Sequence, residues 1–145
     1  NKVLAIRKDA TFGADLIAGF PTETHKMFKD TLNLLDECHL THLHVFPYSA
    51  RDNTPASRMP QVEKSVIKDR AKILRQKGME KLKKYLNKKV GEKDLILIEK
   101  NQNEKSIGKD QNFFNVILDE KIREGDIVPC VYVGVNNDVL MARRI

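Results

Sequence analysis

No apolar run in this 145-residue chain approaches the ~20 residues that a membrane-spanning helix needs. The opening residues lack the charged-then-apolar pattern of a secretory signal. They also lack a starting Met: Asn1-Lys2-Val3-Leu4 reads as the middle of something longer, and a fragment is expected. Cysteine is scarce. Cys38 and Cys130 stand far apart, form no CxxC or CxxxCxxC spacing, and build no metal or cluster site by themselves. Two such thiols in a Lys-rich chain without a signal indicate a reducing, cytoplasmic setting. Each is expected to be a small apolar filler. Repeats and low-complexity tracts are absent. What is present, 41% hydrophobic and 32% charged residues, fits a soluble globular chain of one ordinary domain or two small ones.

Charge is unevenly placed. Residues 1–87 hold 16 basic and 10 acidic side chains, whereas 88–145 hold 10 of each, so the net +6 belongs to the first part. Most of the excess lies between Lys64 and Lys84. Residues 61–87 contain no proline, and Ile67, Ala71, Leu74, Gly78, Leu82 and Tyr85 form a helical stripe with Lys and Arg on the other faces. A long basic amphipathic helix is expected there, entered at Pro60.

Upstream, Ala14-Asp15-Leu16-Ile17-Ala18 reads as a buried strand stopped by Gly19-Phe20-Pro21. A helix capped by Thr22 or Thr24 follows to about Cys38, with Phe28, Leu32 (or Thr31) and Leu35 on one face. Leu40 to Phe46 reads as a second strand. Strand, helix, strand at this length predicts a βαβ unit with parallel strands. Ligands of such α/β proteins sit at the C-terminal strand ends, where Gly19-Phe20-Pro21 and Pro47-Tyr48-Ser49 both fall. Beyond Gly91, β-rich runs at 95–99, 112–118, 127–135 and 139–141 are separated by turn signals, which suggests a small five-stranded barrel of the OB class. The boundary is expected near 87–90, giving parts 1–87 and 88–145.

Asp15 to Thr24 (DLIAGFPTET) resembles the D-[IL]-I-x-G-F-P-[GT]-E-T motif of the radical S-adenosylmethionine (SAM) methylthiotransferases that modify tRNA. His44 to Ala56 (HVFPYSARDNTPA) resembles their H-V-F-P-Y-S-x-R-x-G-T-P-A motif, and the form Leu-His-Val-Phe-Pro-Tyr-Ser points to the MtaB-like branch. Met59 to Val62 and Lys68 to Arg75 are similar to the basic helix that follows in the family. The β-rich part resembles the TRAM module, an RNA-binding barrel. Three positions depart from the pattern: Ala50 and Asp52 replace frequent prolines, and Asn53 replaces a glycine, although Asn tolerates positive φ.

The resemblance implies an α/β fold: the C-terminal part of a radical SAM partial (β/α) barrel, followed by an OB-like TRAM barrel. It implies a transferase that adds a methylthio group to threonylcarbamoyladenosine beside the anticodon, with SAM and 4Fe–4S clusters as cofactors. The cluster triplet CxxxCxxC is not in this chain, so its cysteines bind no cluster and the chain alone is expected to be inactive. The implied partners are tRNA and the upstream N-terminal portion of the same enzyme, with no membrane.

Asp15, Gly19, Phe20, Tyr48, Ser49 and Arg51 are the implied cofactor-binding residues, with Gly19 near the nucleoside, Phe20 as an apolar wall and Arg51 able to pair an anion bidentately. Ordinary alternatives stand beside them: Asp15 as a structural partner, Gly19 as a turn residue, Tyr48 as a core aromatic. No catalytic residue is assigned. Lys68, Arg70, Lys72, Arg75, Lys88, Lys89, Arg143 and Arg144 are the candidate RNA-binding residues, by neutralisation of phosphates. Phe113 and Phe114 offer base stacking, with one of the pair expected to point inward. His42 and His44 alternate on a strand, but no acidic or cysteine partner completes a metal site near them. The competing reading is a non-catalytic RNA-binding protein or split-gene remnant that keeps the helix and barrel.

Overall fold

The structure is a computed structural model and describes residues 2–145. The chain divides into two compact units, 1–81 and 82–145. In the first, a short helix α1 (Lys2–Ile6) precedes β1 (Phe12–Ala18), α2 (His25–Glu37), β2 (Leu40–Pro47), a 3₁₀ turn (Pro55–Arg58) and the start of α3 (Lys64–Lys89). The strands β1 and β2 pair in parallel, Asp15 with His44 and Ile17 with Phe46. This is the βαβ unit that the strand-helix-strand pattern predicts.

Alternation decides the faces. Phe12, Ala14, Leu16 and Ala18 turn towards the core, where Phe28 and Leu35 of α2, Leu40 and Val45 of β2, and Ala71 and Leu74 of α3 pack together. Thr24, not Thr22, caps α2: its hydroxyl accepts the Met27 N–H at 3.2 Å. Thr22 instead takes a left-handed φ of 70° in the preceding turn. Cys38 is the C-cap of α2 and is exposed, so it is not the apolar filler expected of it.

The second unit is a closed barrel of β3 (Lys93–Gln102), β4 (Lys105–Lys109), β5 (Asn115–Leu118), β6 (Ile127–Asn136) and β7 (Val139–Arg144), in the order β3-β4-β5-β7-β6. All neighbours are antiparallel except β5 and β7. Five strands and closure match the OB-class barrel read from the turn spacing and are compatible with a TRAM-like domain. Ile96, Ile98, Val116, Leu118, Val128, Cys130, Tyr132 and Leu140 fill it, with Leu86 of α3 among them. The β4 strand was hidden by its charges and by Gly108, where a Cβ would strike the Leu97 carbonyl of β3 beside a bulge.

Candidate functional site

The ends of β1 and β2 are locked together by local chemistry. The Tyr48 N–H donates to the Ala18 carbonyl at 2.8 Å. Gly19 has φ 75°, and a Cβ there would collide with the Ile67 side chain of α3. Its N–H donates to Glu23 Oε2 at 3.0 Å. Gly19 is therefore a close-packing turn residue with its donor engaged. Glu23 in turn pairs with Arg70, whose Nη1 also donates to the Glu23 carbonyl at 2.9 Å and whose guanidinium lies 5.3 Å from the Phe28 ring centre. Asn53, in the glycine position of the motif, adopts φ 64°, so the turn before the 3₁₀ segment keeps a left-handed residue.

A cavity of about 560 Å³ opens beside these ends. Pro47, Tyr48, Ser49 and Ala50 line one side. Gln61, Val62, Lys64, Ile67, Lys68, Ala71 and Arg75 line the other. The Tyr48 hydroxyl is buried without a hydrogen-bond partner among the described residues. Its ring meets Phe20 edge-on at 5.5 Å. Of the six predicted cofactor residues, Tyr48 and Ser49 line the cavity. Asp15 is exposed on the open sheet face with His44, Ile17 and Phe46; Phe20 and Arg51 are also exposed. Gln61 and Lys64 also line the cavity, and the only signal for them in the sequence is Pro60-Gln61-Val62 at the helix entry beside the motif.

The basic helix is less uniform than its charge count implies. Lys68, Lys72 and Lys88 are exposed, as are Arg143 and Arg144 at the end of β7. Arg70 is not on the exposed face: it is 9% exposed and committed to Glu23. Arg75 donates to the Val45 carbonyl at 2.9 Å. Lys77 and Lys81 both bind Asp36, and these two hydrogen bonds hold its carboxyl at about 2, below the usual 3.8. Lys89 is not exposed either. Its ammonium lies 3.4 Å from both Asp94 and Asp110 and 5.2 Å from the Tyr132 ring centre. The Tyr132 hydroxyl is 2.9 Å from Asp94 Oδ2 and 3.1 Å from Asp110 Oδ2. Burial draws the Lys89 pKa down, but the Asp110 charge, with Tyr85 and Asp94, more than offsets it and the pKa is raised. Burial and then the Asp110 charge push the Tyr132 phenol far above its ordinary value. A helix face read from charge alone cannot separate these anchoring cations from the free ones.

No protein-family model matches the chain. Over 135 residues, 93% of its length, it is 48% identical to the threonylcarbamoyladenosine tRNA methylthiotransferase MtaB of Rickettsia prowazekii (strain Madrid E). It is 33% identical over 70% of its length to the protein of the same name in Aquifex aeolicus (strain VF5). The chain is homologous to part of the tRNA methylthiotransferases. It is also 38% identical over 68% of its length to a tRNA-2-methylthio-N(6)-dimethylallyladenosine synthase of Alcanivorax borkumensis. It spans 31%, 25% and 22% of these three relatives, consistent with a C-terminal portion.

The methylthiotransferase family is one of radical SAM iron–sulfur enzymes. The cavity beside Tyr48, with its unpartnered hydroxyl, fits a polar nucleoside ligand. An iron–sulfur cluster does not fit: exposed Cys38 and buried Cys130 lie in different units, and among the described residues no three His, Cys, Asp or Glu side chains gather to hold a metal. No described helix is long and apolar enough to cross a membrane.

Proposed function

We propose that this chain is the portion of a tRNA methylthiotransferase that supplies one wall of the SAM site and a tRNA-binding surface. The observation that carries this is the 48% identity to the Rickettsia enzyme over almost the whole chain. The greater identity and coverage for that relative favour threonylcarbamoyladenosine over dimethylallyladenosine as the nucleoside modified. When bound, SAM supplies the methyl group and, at a reduced cluster, the oxidising power for attack on a C–H bond.

The chain's own part is positioning. Tyr48 and Ser49 offer hydroxyls to the nucleoside, Gln61 offers its amide oxygen, its nitrogen being bonded to the Ala56 and Met59 carbonyls, and Lys64 offers charge to a carboxylate. Asp15, Phe20 and Arg51, all exposed, are left to complete the site together with the rest of the enzyme. Ile17 and Phe46 are each more than half exposed on the open sheet face, an apolar surface suited to the upstream portion of the same polypeptide. Lys68 and Lys72 on the first unit, and separately Lys88, Arg143 and Arg144 on the second, meet tRNA phosphates, giving salt-dependent affinity. Arg70 and Lys89 play no part in these contacts, because each already neutralises a buried carboxylate.

Anaerobic iron–sulfur reconstitution of the chain, with iron and sulfide counted and SAM cleavage assayed, tests the division of labour. No stoichiometric cluster and no cleavage are expected. A stoichiometric cluster that cleaves SAM would overturn the reading that the chain is inactive alone.

A further inference from the structure

Phe113 is 79% exposed, at the tip of the turn between β4 and β5, with φ 64°. A bulky side chain in the left-handed region is strained, and Gly or Asn would occupy this position without cost. Among the described residues the ring has no aromatic partner in contact with it. Its neighbour Phe114 supplies the core contact, 3% exposed and stacked on Tyr85 with ring centres 5.2 Å apart.

The turn beneath Phe113 is rigid. Buried Asp110 accepts the N–H groups of Asn112 and Phe114 through Oδ1, each at 2.9 Å, and its carbonyl accepts the Phe113 N–H at 3.0 Å. Asp110 is fixed from below by Lys89 and Tyr132. On the flank, the Lys109 ammonium reaches the Phe113 carbonyl at 3.4 Å and Asn115 Oδ1 at 2.7 Å. The turn also binds the start of β3, through Gln111 and Asp94 at 3.0 Å.

We infer that Phe113 is a stacking platform for an unpaired base of the bound RNA. This rests on the tRNA reading above. The groups that bond the turn favour the partner: they are polar, the Lys109 ammonium, the Gln111 amide and the Asn115 side chain, and they suit a ligand that is flat and anionic. An aromatic face with the Lys109 ammonium beside it suits a base and its phosphate, and stacking tolerates any sequence. The rigid turn holds the ring in place before the base arrives, which lowers the ordering cost of binding.

The chain has no Trp, so Phe113→Trp creates a single fluorescent reporter at the tip. Titration of this variant with an anticodon stem-loop and with single-stranded oligoadenylate is expected to quench its emission saturably. Phe113→Asn, which accepts the positive φ, is expected to keep the melting temperature and weaken RNA binding about 5- to 150-fold, the span of one base–aromatic stack. Unchanged emission with RNA bound, or unchanged affinity in Phe113→Asn, would overturn the stacking role and leave the tRNA reading intact. No RNA binding by the wild-type chain at low salt would overturn both. Emission that responds to an added protein and not to RNA would overturn the inference in favour of a protein contact.

Discussion

Replacing Lys89 with Met should cost the barrel far more than the same change at Lys88, one residue earlier. The side chains of Lys89, Asp94 and Asp110 are 7%, 12% and 0% exposed. Without the ammonium, two buried carboxylates share one Tyr132 hydroxyl and face each other uncompensated. Removing one partner of a buried ion pair typically costs about 3–5 kcal/mol, against a total stability of roughly 5–15 kcal/mol. For a unit of this size the melting temperature should fall on the order of 20 °C. Protonation of one carboxylate relieves the repulsion, so the deficit should shrink as the pH is lowered. Lys88→Met, on the exposed face, should change stability by less than about 0.5 kcal/mol and instead weaken tRNA binding. Urea and thermal unfolding followed by circular dichroism, with hydrogen exchange to report the barrel separately, measures both. A loss under about 1 kcal/mol for Lys89→Met, or equal losses for the two lysines, would refute the assignment of Lys89 as a buried anchor.

Three further outcomes are expected. Gly19→Ala combines a left-handed φ with a collision against Ile67 and should destabilise the first unit by about 3 kcal/mol, read by thermal unfolding. Arg70→Met leaves Glu23 buried and charged, so it should cost about 3–5 kcal/mol while leaving the tRNA affinity of the folded protein unchanged. A fall in affinity matching that of Lys68→Met would show that Arg70 does reach the RNA. Tyr132 and Lys89 hold their protons to higher pH in the folded barrel than in the unfolded chain. Their stabilisation is complete below pH 10 and is lost as the pH rises further, so the barrel should unfold more easily in alkali by up to about 1.4 kcal/mol per pH unit for each group. Tyr132→Phe, in which one of the two groups is gone, should flatten that slope.

The parallel βαβ unit was legible because Leu16, Val45 and Leu35 repeat at the periods of strand and helix, and Gly19 and Pro47 end the strands with turn chemistry. The barrel's closure was legible from turn spacing. The break between Asn112 and Asn115 was not, because Phe113 and Phe114 look like strand residues until Asp110 is seen capping the turn. The long helix read as one stripe, yet Leu74 and Leu86 belong to different cores. Periodicity reports which face is apolar and carries no information about what covers it. The strand ends were marked as a ligand site by position, but the cavity's second wall at Gln61 and Lys64 was not, since it depends on how α3 packs. The roles of Arg70 and Lys89 were invisible for the same reason: the carboxylates they neutralise are 47 residues away for Arg70, and 5 and 21 residues away for Lys89.

The most direct measurement of the central claim is a segment exchange. The matching region of the Rickettsia prowazekii relative is replaced by this chain, and the hybrid is expressed in a host lacking its own enzyme. Nucleosides from the host tRNA are then separated and weighed by mass spectrometry. The account predicts methylthiolated threonylcarbamoyladenosine, lost when Tyr48 is changed to Leu in the hybrid. A stable hybrid that leaves threonylcarbamoyladenosine unmodified, beside an intact relative that modifies it, would contradict the account.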